Sequence, residues 1–279
     1  MPVAQGAQRA HTSSVRILAM LVIAAIFAVG QLAINPSPTL AAGKKVVIIV
    51  GPTGSQTASF ITDAKRYASV ARGYGASVTQ IYSPYATWSK VKAAAQGANI
   101  LIYLGHGNGY PSPYGAFQRY TKDGFGLNKT SGNGHNNVQY WGEYYIDRDI
   151  QMAKNAVVIL ARLCYASGNS EWGAANPTRS TAIKRIDNYG TGFLRAGARA
   201  VFAEGITDAG YIIKNLYTSS RNMREIFFAS PSRTMSYRFH FSSARTSGVT
   251  GSGDPYRPSR YYRSVVGWLA TTANQWRAS

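Results

Sequence analysis

Ile100-Leu101-Ile102-Tyr103-Leu104-Gly105-His106-Gly107 is the stretch from which the fold reads outward. Five apolar residues run without alternation, then two glycines flank a histidine. A continuous apolar run of this length suits a strand covered on both faces, as in a parallel sheet. Four more runs read the same way: Val46-Val47-Ile48-Ile49-Val50, residues 78–81, Val157-Val158-Ile159-Leu160 and Ala200-Val201-Phe202-Ala203. Helical stripes separate them. Residues 57–72 place Phe60, Ile61, Ala64, Tyr67, Ala68 and Ala71 on one face, with Gly73 as a stop. Residues 87–96 carry Trp88, Val91 and Ala95. Residues 181–196 make a weaker helix, because Gly190 and Gly192 count against it. The alternation predicts an α/β, doubly wound and mainly parallel sheet with helices on both faces. The crossovers are expected to be right-handed, and an edge strand is expected near Val265.

The fourth run ends in Ala161-Arg162-Leu163-Cys164. In an open α/β sheet ligands bind beyond the carboxyl ends of the strands. Neighbouring strands lie about 5 Å apart, so His106 and Cys164 face one another at that edge if the third and fourth runs pair. A thiol needs a nearby base or a lowered pKa to attack a carbonyl, and histidine supplies either. Gly105 and Gly107 let the backbone turn and leave the Gly107 N–H unshielded, able to stabilise an oxyanion. Alternation puts Arg162 on the same side as Cys164. Two readings of Arg162 stay open. It lines a substrate pocket and favours a carboxylate there, or it points to solvent or pairs with Asp147, Asp149 or Glu171.

A hydrophobic strand ending in His-Gly, followed later by a hydrophobic strand ending in Cys and small residues, resembles the caspase-like cysteine peptidases: the caspase, gingipain, legumain, separase and CHAT group. The matching stretches are residues 100–109 and 157–168. Residues 193–201, Phe-Leu-Arg-Ala-Gly-Ala-Arg-Ala-Val, resemble the helix-to-strand segment that follows the Cys in CHAT and related domains. The resemblance spans residues 45–208. It implies a Cys164–His106 dyad, an oxyanion hole from the Gly107 and Cys164 N–H groups, peptide-bond hydrolysis of a protein or peptide substrate, and a caspase-like sheet whose strands, counted along the chain, stand in the order 2-1-3-4-5. In several of these families the residue two before the Cys lines the first substrate pocket, here Arg162. The departures are the long insert after His106 and Tyr165 directly after the Cys.

The rest of the chain sets the context. Residues 1–42 read as a signal peptide or membrane anchor. Arg9 and Arg16 precede an apolar run at 17–29, then Asn35-Pro36-Ser37-Pro38 and small residues. Cleavage is the favoured reading, and it implies a secreted or extracytoplasmic protein. Residues 43–229 are expected to form the hydrolase domain, with a Gly-, Asn- and Tyr-rich insert at 107–155. Residues 230–279 read as a basic, Ser/Tyr-rich C-terminal extension. The formal net charge is +19 over 279 residues, or about +17 without Arg9 and Arg16. Such a field suits an anionic cell-wall or membrane surface. No Lys/Arg run exceeds two, so no specific nucleic-acid partner is expected. The single Cys excludes an internal disulfide. No cofactor is expected. Residues 51–57 lack the Gly-Lys-Ser/Thr ending of a P-loop, no G-x-S-x-G serine elbow is present, and His135 has no metal-ligand spacing around it. His240 follows Cys164 in the order of papain-like hydrolases, but a Cys after a strand makes His106 the better partner.

Overall fold

Apolar runs too long to leave one face wet must be covered twice, and the chain does this with helices. The computed structural model describes Met1 and residues 43–279, so the segment read as a signal lies outside the described residues apart from its first residue. The strands are β1 (Lys45–Val50), β2 (Ser77–Tyr82), β3 (Ile100–Leu104), β4 (Phe125–Asn128), β5 (Val138–Trp141), β6 (Ala156–Ala161), β7 (Ala198–Glu204), β8 (Phe239–Ser242), β9 (Thr250–Gly253) and β10 (Arg263–Gly267). The helices are α1 (Thr57–Gly73), α2 (Trp88–Ala95), α3 (Glu143–Asp149), α4 (Arg179–Arg195), α5 (Gly210–Thr218), α6 (Met223–Phe228) and α7 (Ala273–Arg277).

The main sheet has the order β2-β1-β3-β6-β7-β10-β9-β8, and β4-β5 form a separate hairpin. The five strands read from sequence are β2, β1, β3, β6 and β7, all parallel and in the expected order. The fold is therefore α/β, with a mostly parallel mixed sheet flanked by helices. One expectation is corrected. The strand at Val265 forms, as β10, but it is not an edge. It pairs antiparallel with β7 on one side and β9 on the other. The edge falls instead on β8, whose sequence Phe239-His240-Phe241-Ser242 is too short and mixed to read as a strand.

Alternate residues of each central strand enter separate cores. Val46, Ile48, Val50, Ile102, Ile159 and Phe202 pack under α1, α5, α6 and α7. Val47, Ile49, Leu101, Tyr103, Val158 and Leu160 pack against α2, α3 and α4. All twelve are essentially inaccessible to solvent. Each such side chain contributes about 1.5–3 kcal/mol on burial. That sum outweighs any local propensity, which explains why α4 forms despite Gly190 and Gly192. Those glycines are close-packing positions: a Cβ on Gly190 would lie 2.4 Å from Val266 Cγ1, and one on Gly192 3.0 Å from Glu143 Cβ. The helix presses onto β10 and α3 because it lacks side chains there. Its N-terminus is capped by Thr178, whose hydroxyl accepts from the Thr181 N–H.

The insert after β3 is ordered around Tyr103. The buried Tyr103 hydroxyl accepts from the Gly126 N–H (2.9 Å) and donates to the Gly126 carbonyl (2.8 Å), with the His106 carbonyl 3.0 Å away. One side chain of β3 thus fastens the β4-β5 hairpin beside the turn that carries His106.

Candidate active site

β3 and β6 are hydrogen-bonded neighbours with Leu104 opposite Ala161. Both chains therefore leave the sheet at the same edge, His106 just beyond β3 and Cys164 just beyond β6. Gly107 permits their close approach. A Cβ there would sit 2.0 Å from the Cys164 carbonyl oxygen and 3.1 Å from the Cys164 nitrogen, so only glycine lets the two strand ends lie backbone to backbone. His106, Gly107 and Cys164 share the wall of one recess of about 650 Å³ with Tyr114, Lys122 and Glu171. A second recess, of about 490 Å³, also reaches Cys164 and Glu171 and is lined further by Arg162, Asn169, Trp172 and Tyr262.

Among the described residues, neither the Gly107 nor the Cys164 N–H donates to a protein acceptor. Backbone donors are rarely left without a partner, and both of these residues line the recess beside the thiol. The chain reverses directly after the Cys: Tyr165 adopts φ 68 and the Ala166 N–H donates to the Cys164 carbonyl at 2.9 Å. Tyr165 itself is buried. It packs where Gly109 has no side chain, with the Arg185 guanidinium 4.8 Å from its ring. It anchors the turn to the core.

The electrostatics favour neutral partners. Cys164 is half-buried; burial, reinforced by the Glu171 carboxylate, holds its thiol above the usual value, opposed in part by the Trp172 N–H. His106 is open to solvent on one side, but crowding of the rest of its ring lowers its pKa, opposed by Glu171. No hydrogen bond joins the His106 ring to Cys164 among the described residues. Both shifts favour a neutral thiol beside a neutral imidazole over a preformed ion pair.

Arg162 lines the second recess, as the pocket reading asked, but its charge is already engaged. Its φ of 67 breaks the strand alternation, so the side chain turns towards α1. There it pairs with Asp63 (3.1 Å) and donates to the Ile206 carbonyl (2.7 Å). None of Asp147, Asp149 or Glu171 is its partner. Cys164 packs against the core on the opposite face of the sheet.

The sequence reading treated Glu171 only as a partner for Arg162. Its position beside Cys164 depends on Arg185 of α4, whose guanidinium donates to the Asn169 carbonyl (2.7 Å), the Ser170 hydroxyl (3.1 Å) and the Pro111 carbonyl (2.7 Å). That clasp ties the loop after the Cys to the insert. No local motif encodes it; an Arg inside a helix was the only signal. The other two histidines among the described residues have side-chain partners. His135 Nδ1 lies 2.9 Å from the Ser83 hydroxyl, and His240, on β8 at the far edge of the sheet, lies 2.8 Å from the Ser252 hydroxyl. No group of three or more metal-ligating side chains occurs among the described residues. Residues 51–57 form a turn in which the Thr53 N–H donates to the Thr57 hydroxyl at 2.9 Å.

No protein-family model and no curated protein matches the chain. Among solved structures, a protein from Geobacter sulfurreducens, GSU0716, is similar at 14% identity and a TM-score of 0.34, over 68% of this chain and 90% of that one. No helix among the described residues is long and apolar enough to cross a membrane.

Proposed function

We propose that the chain is an exported caspase-like cysteine endopeptidase, with Cys164 as nucleophile and His106 as proton-transfer partner. The observation that carries this reading is the shared recess: a thiol, an imidazole and two unpartnered backbone N–H groups converge on one edge of the sheet. In the reaction Sγ attacks the peptide carbonyl while its proton passes to the neutral imidazole. The resulting oxyanion is held by the Gly107 and Cys164 N–H groups. The imidazolium then protonates the departing amine, and water cleaves the thioester by the same proton route. A preference for acidic residues gains little support from Arg162, because Asp63 already neutralises it.

The test is a peptide library varied at the residue whose carbonyl is attacked, run beside casein and peptidoglycan, on wild type, Cys164→Ala and His106→Ala. Hydrolysis by the wild type is expected, reduced on the order of 10³-fold or more by either substitution. Hydrolysis retained in Cys164→Ala removes the nucleophile from the proposal. Cleavage confined to peptidoglycan makes the same dyad a cell-wall peptide amidase. A second reading, an inactive module docked on anionic cell-surface polymers, draws on the raised thiol pKa and the net charge. It requires salt-sensitive binding to such polymers and no turnover of any substrate in the panel.

A further inference from the structure

At the end of the sheet away from Cys164, the last strands leave a recess of about 390 Å³ between the start of α6, β9 and the turn from β10 to α7. The register sets it apart from the dyad. Gly267 of β10 pairs with Ala200 near the start of β7, whereas Cys164 follows Ala161, which pairs with Glu204 at the end of β7. None of the residues lining the recess is acidic, and Asn222, Arg224, Trp268 and Thr271 bring side-chain donors to it. The Arg224 guanidinium has one side-chain partner, the neutral Thr250 hydroxyl at 2.9 Å. Among the described residues the Trp268 indole N–H meets no protein acceptor and is not sealed from solvent. Glu225, next in the chain to Arg224, is occupied at the helix cap, where its Oε2 accepts from the Asn222 N–H at 2.8 Å.

The positive charge continues along β8, the edge strand. Burial, and then the charges of Arg224, Arg238 and Arg179, hold the imidazole of His240 below its usual pKa. Arg238 immediately precedes β8, Arg179 stands over the Phe239 ring at 4.8 Å, and Arg199 over the Trp268 ring at 4.9 Å. Among the described residues none of these four arginines forms an ion pair. A strand of four residues is about 13 Å long. The arginines therefore make a band from the recess, beside Thr250 and Ser242, to Arg238 and Arg179 at the Phe239 end. Charges beside an edge strand discourage pairing with another chain. Arg238 serves that role, but it does not call for Arg224, which sits on α6 in the recess.

A phosphate group suits the recess, because its several acceptor oxygens can take a guanidinium fork, an indole N–H and an amide N–H together. A chain of phosphates is needed to use the rest of the band. Lipid and nucleic acid suit it less well. No exposed large apolar side chain lines the recess to enter a bilayer, and Arg199 already stacks on Trp268, where a base would stack. We infer that this recess and the β8 edge bind a soluble phosphodiester polymer of the polyol-phosphate kind, with one phosphate on Arg224 and Trp268 and others on Arg238 and Arg179. The site lies apart from the dyad and does not depend on the peptidase reading. It gives the net charge of +19 a place to act and leaves Cys164 open.

The test is calorimetric titration of the full chain with a synthetic glycerol-phosphate decamer, beside a deoxythymidylate decamer and phosphatidylglycerol vesicles. The glycerol-phosphate chain is expected to bind more tightly than either. Its Kd should rise roughly 10- to 30-fold between 50 and 200 mM salt, as about three phosphate contacts require. Arg224→Gln is expected to weaken binding on the order of 10-fold, and Arg224→Lys nearly as much, because the fork is lost while the charge stays. Arg238→Gln, at an exposed position where folding is not at stake, should weaken it by about 3-fold. Lys92→Gln on α2 removes the same charge far from the band and should change Kd by less than about 2-fold. Equal weakening by Lys92→Gln and Arg224→Gln would mean that net charge alone binds, and overturns the site. Tighter binding of deoxythymidylate or of the vesicles overturns it in favour of nucleic acid or a membrane. No binding of the glycerol-phosphate chain overturns it and leaves Arg238 as a guard of the edge. Turnover at Cys164 is unaffected by any of these outcomes.

Discussion

At the scale of single residues, the chemistry turns on a thiol and an imidazole that are both held neutral. Burial and the Glu171 carboxylate disfavour the thiolate of Cys164, and burial disfavours the imidazolium of His106. Below the thiol pKa the thiolate fraction grows tenfold per pH unit. The alkylation rate of Cys164 is therefore expected to keep rising through pH 9, with no plateau near neutrality. Glu171→Gln removes a negative charge near the sulfur, lowers the thiol pKa and should speed alkylation at pH 8 by roughly 3- to 10-fold. A rate that levels off below pH 7 would show a preformed ion pair and overturn this account; pH-dependent labelling followed by intact-mass spectrometry measures it. His106 and Cys164 were legible in the sequence because each ends an apolar run. Glu171 was not, because it becomes a neighbour of Cys164 only through the Arg185 clasp.

At the scale of elements, the pairing of β3 with β6 and the attachment of the insert position the site. Gly107→Ala would push a methyl group to within 2.0 Å of the Cys164 carbonyl oxygen. The strand ends must part, so activity is expected to fall at least about 100-fold, and stability by about 1–3 kcal/mol. Tyr103→Phe keeps the ring and removes the hydroxyl that serves both Gly126 backbone groups. Two buried polar groups lose their partner, which costs about 1–3 kcal/mol in urea unfolding. Loosening should appear first as faster amide exchange at residues 125–128. A Tyr103→Phe variant as stable as wild type would mean that the hairpin is held by packing alone. β1, β3, β6 and β7 were readable because both their faces are buried, which leaves a continuous apolar signature. β4 and β5 were not readable. Phe125-Gly126-Leu127-Asn128 is too short and has no β-branched residue, and it forms because Tyr103 and a partner strand supply its hydrogen bonds.

At the scale of the whole molecule, residues 230–279 belong to the sheet. β10 covers β7, and β9 and β8 continue beyond it. Arg263 on β10 is 3% exposed and pairs with Glu204 of β7 and with Asp254; it also donates to the Phe227 carbonyl at the end of α6. Burial pushes the Glu204 carboxyl up, and Arg263 opposes that shift. Arg263→Met leaves two buried carboxylates without their cation and should cost about 3–5 kcal/mol, read as a large fall in Tm by calorimetry. Removing residues 230–279 exposes the β7 edge and the core face of α5. The truncated protein is expected to show no cooperative thermal transition. A cooperative transition near the wild-type Tm would make these residues the appendage that their composition suggests.

Taken alone, the sequence determined the five parallel strands and their order, the two helices after β1 and β2, and the placing of His106 and Cys164 at one edge. The strands and helices follow from periodicity, which is local; their order follows from the resemblance of the His-Gly and Cys strand ends to a caspase-like sheet, since right-handed crossovers alone fit more than one order. Only the tertiary structure decided that α4 forms through its glycines, that Val265 lies inside the sheet, and that Arg162 is spent on Asp63 while Glu171 keeps its charge unpaired. Each of these depends on which distant groups meet: Gly190 on Val266, β10 between β7 and β9, Asp63 of α1 against the turn after β6. Pairings of that kind carry no periodic signature. They are set by how the two cores close on the sheet, and a left-handed φ at Arg162 is enough to send a side chain to the face that alternation denies it.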